Sequence, residues 1–262
     1  MAELQGKTAL ITGSTGGIGE AFARAFAAAG CNVVLNGLGE AAAIELLRSE
    51  LAHSHAVDVL FDAADLAAPT QIESMIDRAL SHFGRIDILV NNAVTRHYAS
   101  VEDFPVQKWD HALAVNLSAA FHTIRLALPG MKQRDWGRII NMGSIHATRL
   151  VRDRVDYMTT KAAIIGLTRA VALECAETGV TCNALSPGWV LTPHAERQIG
   201  QRMQERSLSR EDAIRELLGV RQPSRRPIMP AEVAALGLYL CTAAAANITG
   251  AALPIDGGWA VG

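Results

Sequence analysis

Four cysteines, Cys31, Cys175, Cys182 and Cys241, are too few and too scattered for a disulfide framework, and none forms a CxxC pair that would suggest zinc. They read as buried thiols of a reducing compartment, and no metal is expected. Long apolar runs are missing too. Gly, Asp, Asn or Arg breaks every run well short of the roughly 20 residues a membrane span needs. Charge of one sign is also lacking: 24 basic and 26 acidic residues leave a formal net charge of -2, with no basic field for nucleic acid or an anionic membrane surface. No basic leader with an apolar run and a small-residue cleavage site opens the chain, which predicts a cytoplasmic protein. Internal repeats and low-complexity tracts are absent.

What is present is 50% hydrophobic residues against 19% charged, enough apolar material in 262 residues for one large core. One domain spanning 1–262 is expected. β-Branched and aliphatic runs at 7–11, 32–35, 57–61, 86–90, 138–141 and 180–184 alternate with helical periodicity at 17–29, 40–52 and 69–83. Strand, helix, strand with right-handed crossovers gives an α/β, Rossmann-type, doubly wound parallel sheet with helices on both faces. Pro69 suits a first helical position, and Gly30 and Gly179 suit left-handed C-caps. Residues 191–226 break the alternation; polar, Arg-rich and partly helical, they read as a substrate lid beside the ligand crevice.

The first strand runs into Thr12-Gly13-Ser14-Thr15-Gly16-Gly17-Ile18-Gly19 just before a helix. Gly13, Gly17 and Gly19 permit a tight turn, close approach to a pyrophosphate and close helix packing, while helix N–H groups face the anion. Thr15 and Ile18 belong to the same cradle. The second strand ends in Leu35-Asn36-Gly37-Leu38-Gly39-Glu40, with Asn36 at the ribose position and neither Arg nor Lys to clamp a 2′-phosphate. NAD is therefore expected as the cofactor, although the usual Asp is absent. Asp65 and Leu66 follow the third strand near the adenine position, and Asn92 and Ala93 follow the fourth near the adenosine ribose.

Tyr157 and Lys161 form a YxxxK pair whose spacing puts phenol and ammonium on one helical face. A phenol of pKa near ~10 needs cations to act as a base at neutral pH. Ser144 ends the fifth strand, Asn116 lies in a helical run and Pro187-Gly188 follows the sixth strand. In order and spacing, these features with TGxxxGxG and Asn91-Asn92-Ala93 resemble the short-chain dehydrogenase/reductase family across nearly the whole chain. The resemblance implies that Ser144 holds the substrate oxygen, Tyr157 is the acid or base, Lys161 lowers the phenol's pKa and holds the nicotinamide ribose, and Asn116 anchors a proton-carrying water. It adds Pro187, Gly188, Val190 and Thr192 to the cofactor's contacts and implies a homotetramer. Val94 departs from the pattern, standing where the family commonly has Gly.

Local strings such as Leu35-Asn36-Gly37, Lys108-Trp109-Asp110, Pro187-Gly188-Trp189-Val190 and Asp256-Gly257-Gly258-Trp259 resemble the D-3-hydroxybutyrate dehydrogenase branch of that family. That likeness assigns a substrate carboxylate to Arg96, His146, Arg154 and Gln198, with Trp189 and Trp259 shaping the pocket. Arg96 stands where Gln is expected and Arg154 where Lys is, and Arg is a fixed fork suited to bidentate anion binding. The expected substrate is a small anionic 3-hydroxy or 3-oxo acid. A more charged phosphonate, sulfonate or dicarboxylate is the alternative, followed by a neutral alcohol or ketone and by a non-catalytic NAD-binding regulator. Arg149 and Arg152 read as a solvated loop face, and Arg197, Arg202, Arg206 and Arg210 as a salt-bridged helix face.

Overall fold

The apolar runs of the sequence become the seven parallel strands of a computed structural model, which describes residues 2–219 and 221–261. They are β1 (Thr8–Ile11), β2 (Asn32–Asn36), β3 (Val59–Asp62), β4 (Ile88–Asn91), β5 (Gly137–Met142), β6 (Val180–Pro187) and β7 (Ala252–Ile255). Their spatial order is β3-β2-β1-β4-β5-β6-β7. The order reverses direction beside β1, so the crevice at the switch point opens between the carboxyl ends of β1 and β4. Those ends carry the glycine turn and the Asn91-Asn92-Ala93 run.

Because neighbouring side chains of a strand point to opposite faces, both faces of this sheet must be covered. Ala9 and Ile11 of β1 pack into one buried layer with Phe22 and Phe26 of α1 (Gly17–Ala28), Leu47 of α2 (Ala41–His55) and a C-terminal helix, Pro230–Leu240. Leu10 faces the other layer, with Ile72 of α3 (Pro69–Phe83), Ile124 of the helix Ala119–Gln133 and Val171 of the helix Val155–Glu174. Counting the remaining helices in chain order, α4 is Val106–Leu113, α5 Ala119–Gln133, α6 Val155–Glu174, α7 Pro193–Arg206, α8 Arg210–Leu218 and α9 Pro230–Leu240. Among the described residues no helix is long and apolar enough to cross a membrane. All four cysteines are free and buried.

Pro69 opens α3 as expected. Gly30 ends α1 in a left-handed turn (φ +83°), with Cys31 N–H donating to Phe26 C=O and Gly30 N–H to Ala27 C=O. Gly179 is not such a cap. Helix α6 already ends at Glu174, and Gly179 is needed because a Cβ there would sit 2.0 Å from the Asp135 carbonyl oxygen. The periodicity also missed β7, whose short Ala-Leu-Pro-Ile run gains its strand character only by pairing with β6.

Residues after β6 form α7 and α8, and the excursion leaves and returns at one place. Val190 bridges Ile228, with Leu191 N–H on Ile228 C=O and Ile228 N–H on Trp189 C=O. The arginines of this segment pair both along a helix, as Arg215 with Glu211 and Asp212, and between the two helices, as Arg210 with Glu196 at 2.6 Å and Arg202 with Glu216 at 2.6 Å. Each exposed pair contributes only about 0–1 kcal/mol, but together they fix how α7 sits on α8.

Candidate active site

A groove of about 710 Å³ runs along the carboxyl edge of β1, β2 and β4, lined by Gly13, Thr15, Gly17, Ile18, Asn36, Asp65, Leu66, Asn92, Ala93 and Thr192. Gly13 has φ +63°, and a Cβ would meet the Ala93 Cα at 2.9 Å. Helix α1 follows Gly16, an N-cap with no side chain to cap it, which leaves its first N–H groups open to a ligand. Gly19 plays a different part from the cradle glycines: a Cβ there would meet the Gly13 carbonyl oxygen at 2.2 Å, so it lets the helix pack against the turn. Asn92 holds the turn from the other side, its Nδ2 donating to the carbonyls of Thr12 and Gly13 at 3.0 and 2.9 Å. These features fit a dinucleotide: glycine-only backbone, uncapped helix N–H groups and a long groove.

Two of the groove residues also have partners within the fold. Asn36 is buried, its Nδ2 donating to the carbonyls of Asp62 and Ala64, so it braces β2 against β3 while also lining the groove. Asp65 uses Oδ1 to accept the Ala67 N–H in a local turn at the lip of β3, where it lines the groove.

The groove continues, through Ile18, Asn92, Val94, Arg96, Thr192 and His194, into a cleft of about 220 Å³. This cleft holds Ser144, Tyr157 and Lys161, together with Pro187, Gly188 and Val190. Ser144 follows β5 and caps a single 3-10 turn, Ile145–Ala147, accepting the His146 N–H. Tyr157 and Lys161 stand one turn apart at the start of α6, and the Lys161 ammonium donates to the Met142 carbonyl. Burial works to raise the phenol's pKa, but Lys161 and Arg96, with hydrogen bonds from Ser144 and Arg96, outweigh it and bring Tyr157 down to about 8. Burial also drives the Lys161 ammonium down from its ordinary value, against the opposing pull of Tyr157.

Asn116 lies on a π-helical turn, Ala114–Ser118, between α4 and α5. Its amide grips Thr95 from both sides, accepting its N–H at 2.8 Å and donating to its C=O at 3.0 Å. Beside it, reaching Lys161, is a cavity of about 10 Å³, near the smallest that holds one water.

The cleft's other wall is cationic. Arg96 and Arg154 are brought together because Ala99 bridges Arg154, and their guanidinium groups lie 5.1 and 4.5 Å from the Tyr157 ring centre. Gln198, Trp189, Trp259 and His146 line the same space, with His146 edge-on to Trp259 at 5.3 Å. His146 Nδ1 meets the Arg149 carbonyl at 2.7 Å; burial, aided by Arg154, Arg221 and Arg96, keeps the ring's pKa low, so Nδ1 carries the proton and Nε2 accepts.

Every substrate residue expected from sequence thus lines one cleft, and the expected cofactor residues line the adjoining groove or the cleft, except Gly19, which supports the turn. Arg149 reaches instead to the Ala260 carbonyl, and Arg152 is exposed outside the cleft. His97 is turned away, packed edge-on against Phe104. Sequence reading missed Tyr98, which stacks on Arg154, and His194, Arg221 and Gln222 of the inserted segment. No local pattern marks them, because their approach to Ser144 depends on how α7 and α8 are hung. A buried chain behind the site was also missed, Thr123 to Asn91 to Asn141 to Thr168, which ties β4 and β5 to α5 and α6.

A parallel doubly wound sheet with a glycine cradle at its switch point and Ser, Tyr and Lys beside it defines an oxidoreductase. A family profile described as enoyl-(acyl carrier protein) reductase matches residues 13–260. The chain belongs to the short-chain dehydrogenase/reductase family. It is 48% identical over 257 residues to the D-beta-hydroxybutyrate dehydrogenase of Cupriavidus necator, covering 98% of each chain. With the enzyme of that name from Rhizobium meliloti it shares 47% identity, over 97% of this chain and 98% of the relative. Among solved structures, L-sorbose reductase from Gluconobacter frateurii, complexed with NADPH and L-sorbose, superposes with a TM-score of 0.94 at 30% identity over all of both chains.

Proposed function

We propose that this chain is an NAD-dependent dehydrogenase that interconverts small anionic 3-hydroxy acids, such as 3-hydroxybutyrate, with their 3-oxo acids. The observation that carries this reading is one cleft in which the Tyr157 phenol, depressed to about 8, faces Ser144 and two guanidinium groups. The two relatives named for D-beta-hydroxybutyrate support the substrate class. NAD rather than NADP is supported by the run 35–40, which offers no cation to a 2′-phosphate.

Bound nicotinamide supplies the hydride acceptor or donor. In the oxidising direction Ser144 holds the substrate hydroxyl and the Tyr157 phenolate takes its proton. Lys161 stabilises the phenolate and stands ready for the ribose, while Asn116 and the small cavity beside it suit a water that returns the proton to solvent. Arg96, Arg154, His146 and Gln198 hold the carboxylate, and Trp189 and Trp259 limit chain length. Residues 191–226 act as the lid, closing from the Val190–Ile228 bridge to exclude water.

Purified protein should reduce NAD when given D-3-hydroxybutyrate, with the L-enantiomer and NADP as comparisons. Turnover confined to neutral alcohols would overturn the substrate class, and preference for NADP would overturn the cofactor assignment.

A further inference from the structure

The cleft holds more positive charge than a monocarboxylate uses. Besides Arg96 and Arg154 it is lined by Arg221, and among the described residues no Asp or Glu lines it and none of the three guanidinium groups is paired with a carboxylate. Arg202, Arg210, Arg215 and Arg226 of the same inserted region are each bound to a Glu or Asp. Arg197 and Arg225, which have no such pair among the described residues, lie outside this cleft, so Arg221 is the arginine of this region that brings an unpaired charge to it. Arg221 is held in place by its neighbour. Gln222 is fully buried, accepts the Trp189 N–H at 2.9 Å and donates to the Arg226 carbonyl, which ties this stretch to the end of β6. Arg154 adds a second observation, a buried Nε donor with no hydrogen-bond partner.

We infer that the substrate carries two negative charges, and that Arg221 holds the second after Arg96 and Arg154 have taken the first. This deepens the proposed function and rests on it. With the cleft open, water covers the exposed Arg96 and Arg221; closing α7 and α8 over them removes that water, and each guanidinium left without an anion then opposes closure. A monocarboxylate meets one such charge. A phosphonate or dicarboxylate meets two, and the planar forks suit the several oxygens such groups present.

Three compounds that share one skeleton separate charge from shape: 3-hydroxybutyrate, 2-hydroxypropanesulfonate and 2-hydroxypropylphosphonate. The sulfonate has the tetrahedral oxygens of the phosphonate but one charge, and 3-hydroxyglutarate serves as a dianion of different shape. Above the second ionisation of the phosphonate, at least one dianion should exceed the sulfonate and the monocarboxylate in kcat/KM by about 10- to 100-fold, the scale of one charge-assisted hydrogen bond. Arg221→Gln should collapse that ratio toward one, and Arg221→Lys should restore part of it. Dianions no better than the sulfonate and 3-hydroxybutyrate would overturn the inference while leaving the proposed function standing. A ratio that survives Arg221→Gln would overturn the role of Arg221. If none of the compounds turned over, the proposed function and the inference would fall together.

Discussion

Tyr157 shows how one side chain's chemistry is set by two charges and a hydrogen bond from three separate stretches. Lys161 comes from its own helix, Arg96 from the segment after β4, and Ser144 from the end of β5. Oxidation needs the phenolate, so kcat/KM for the hydroxy acid should rise with pH and level off above about 8. Reduction needs the phenol and should fall over the same range. Arg96→Gln removes a cation and a hydrogen bond from the phenolate, so the midpoint of both profiles should move upward; an unmoved midpoint with a raised KM would restrict Arg96 to anion binding. Tyr157→Phe should lower kcat by about 10²–10⁴-fold with the circular dichroism spectrum unchanged. The YxxxK pair was legible in the sequence because four residues are one helical turn. The two guanidinium groups over the ring were legible only through the family likeness.

At the scale of elements, the packing of α1 on α9 depends on Gly237. A Cβ at that position would lie 2.3 Å from Phe22 Cε1. Alanine in a helix interior ordinarily gains about 1 kcal/mol over glycine, whereas overpacking a core costs about 1–3 kcal/mol. Here the second effect wins, and Gly237→Ala should destabilise the protein by about 1–2 kcal/mol in a denaturant titration. A gain in stability would mean that Phe22 moves aside freely. The first glycine turn, Pro69 and the Gly30 cap were readable because each is a local backbone requirement. Gly179 was misread because what it avoids, the Asp135 carbonyl, lies 44 residues away in the chain.

For the whole molecule, charge distribution matters more than net charge. A chain of net charge -2 gathers Arg96, Arg154, Arg221 and Lys161 at one cleft. Screening shortens from about 10 Å at 0.1 M salt to about 3 Å at 1 M, so the KM for an anionic substrate should rise severalfold across that range. A KM indifferent to salt would mean that the arginines do not attract the substrate. Phe121 on α5 and Leu173 on α6 are large apolar side chains left exposed on the helical layer.

The sequence by itself determined six of the seven strands, the glycine turn after β1 and the Tyr157–Lys161 pair, because strand alternation, glycine turns and helical spacing are written in neighbouring residues. Tertiary structure alone decided that Asn36 braces the sheet, that Asn116 grips Thr95, that Tyr98 stacks on Arg154, and that Arg221 joins Arg96 and Arg154. Each depends on the approach of segments that are distant along the chain, and side-chain proximity of that kind is set by how the elements pack.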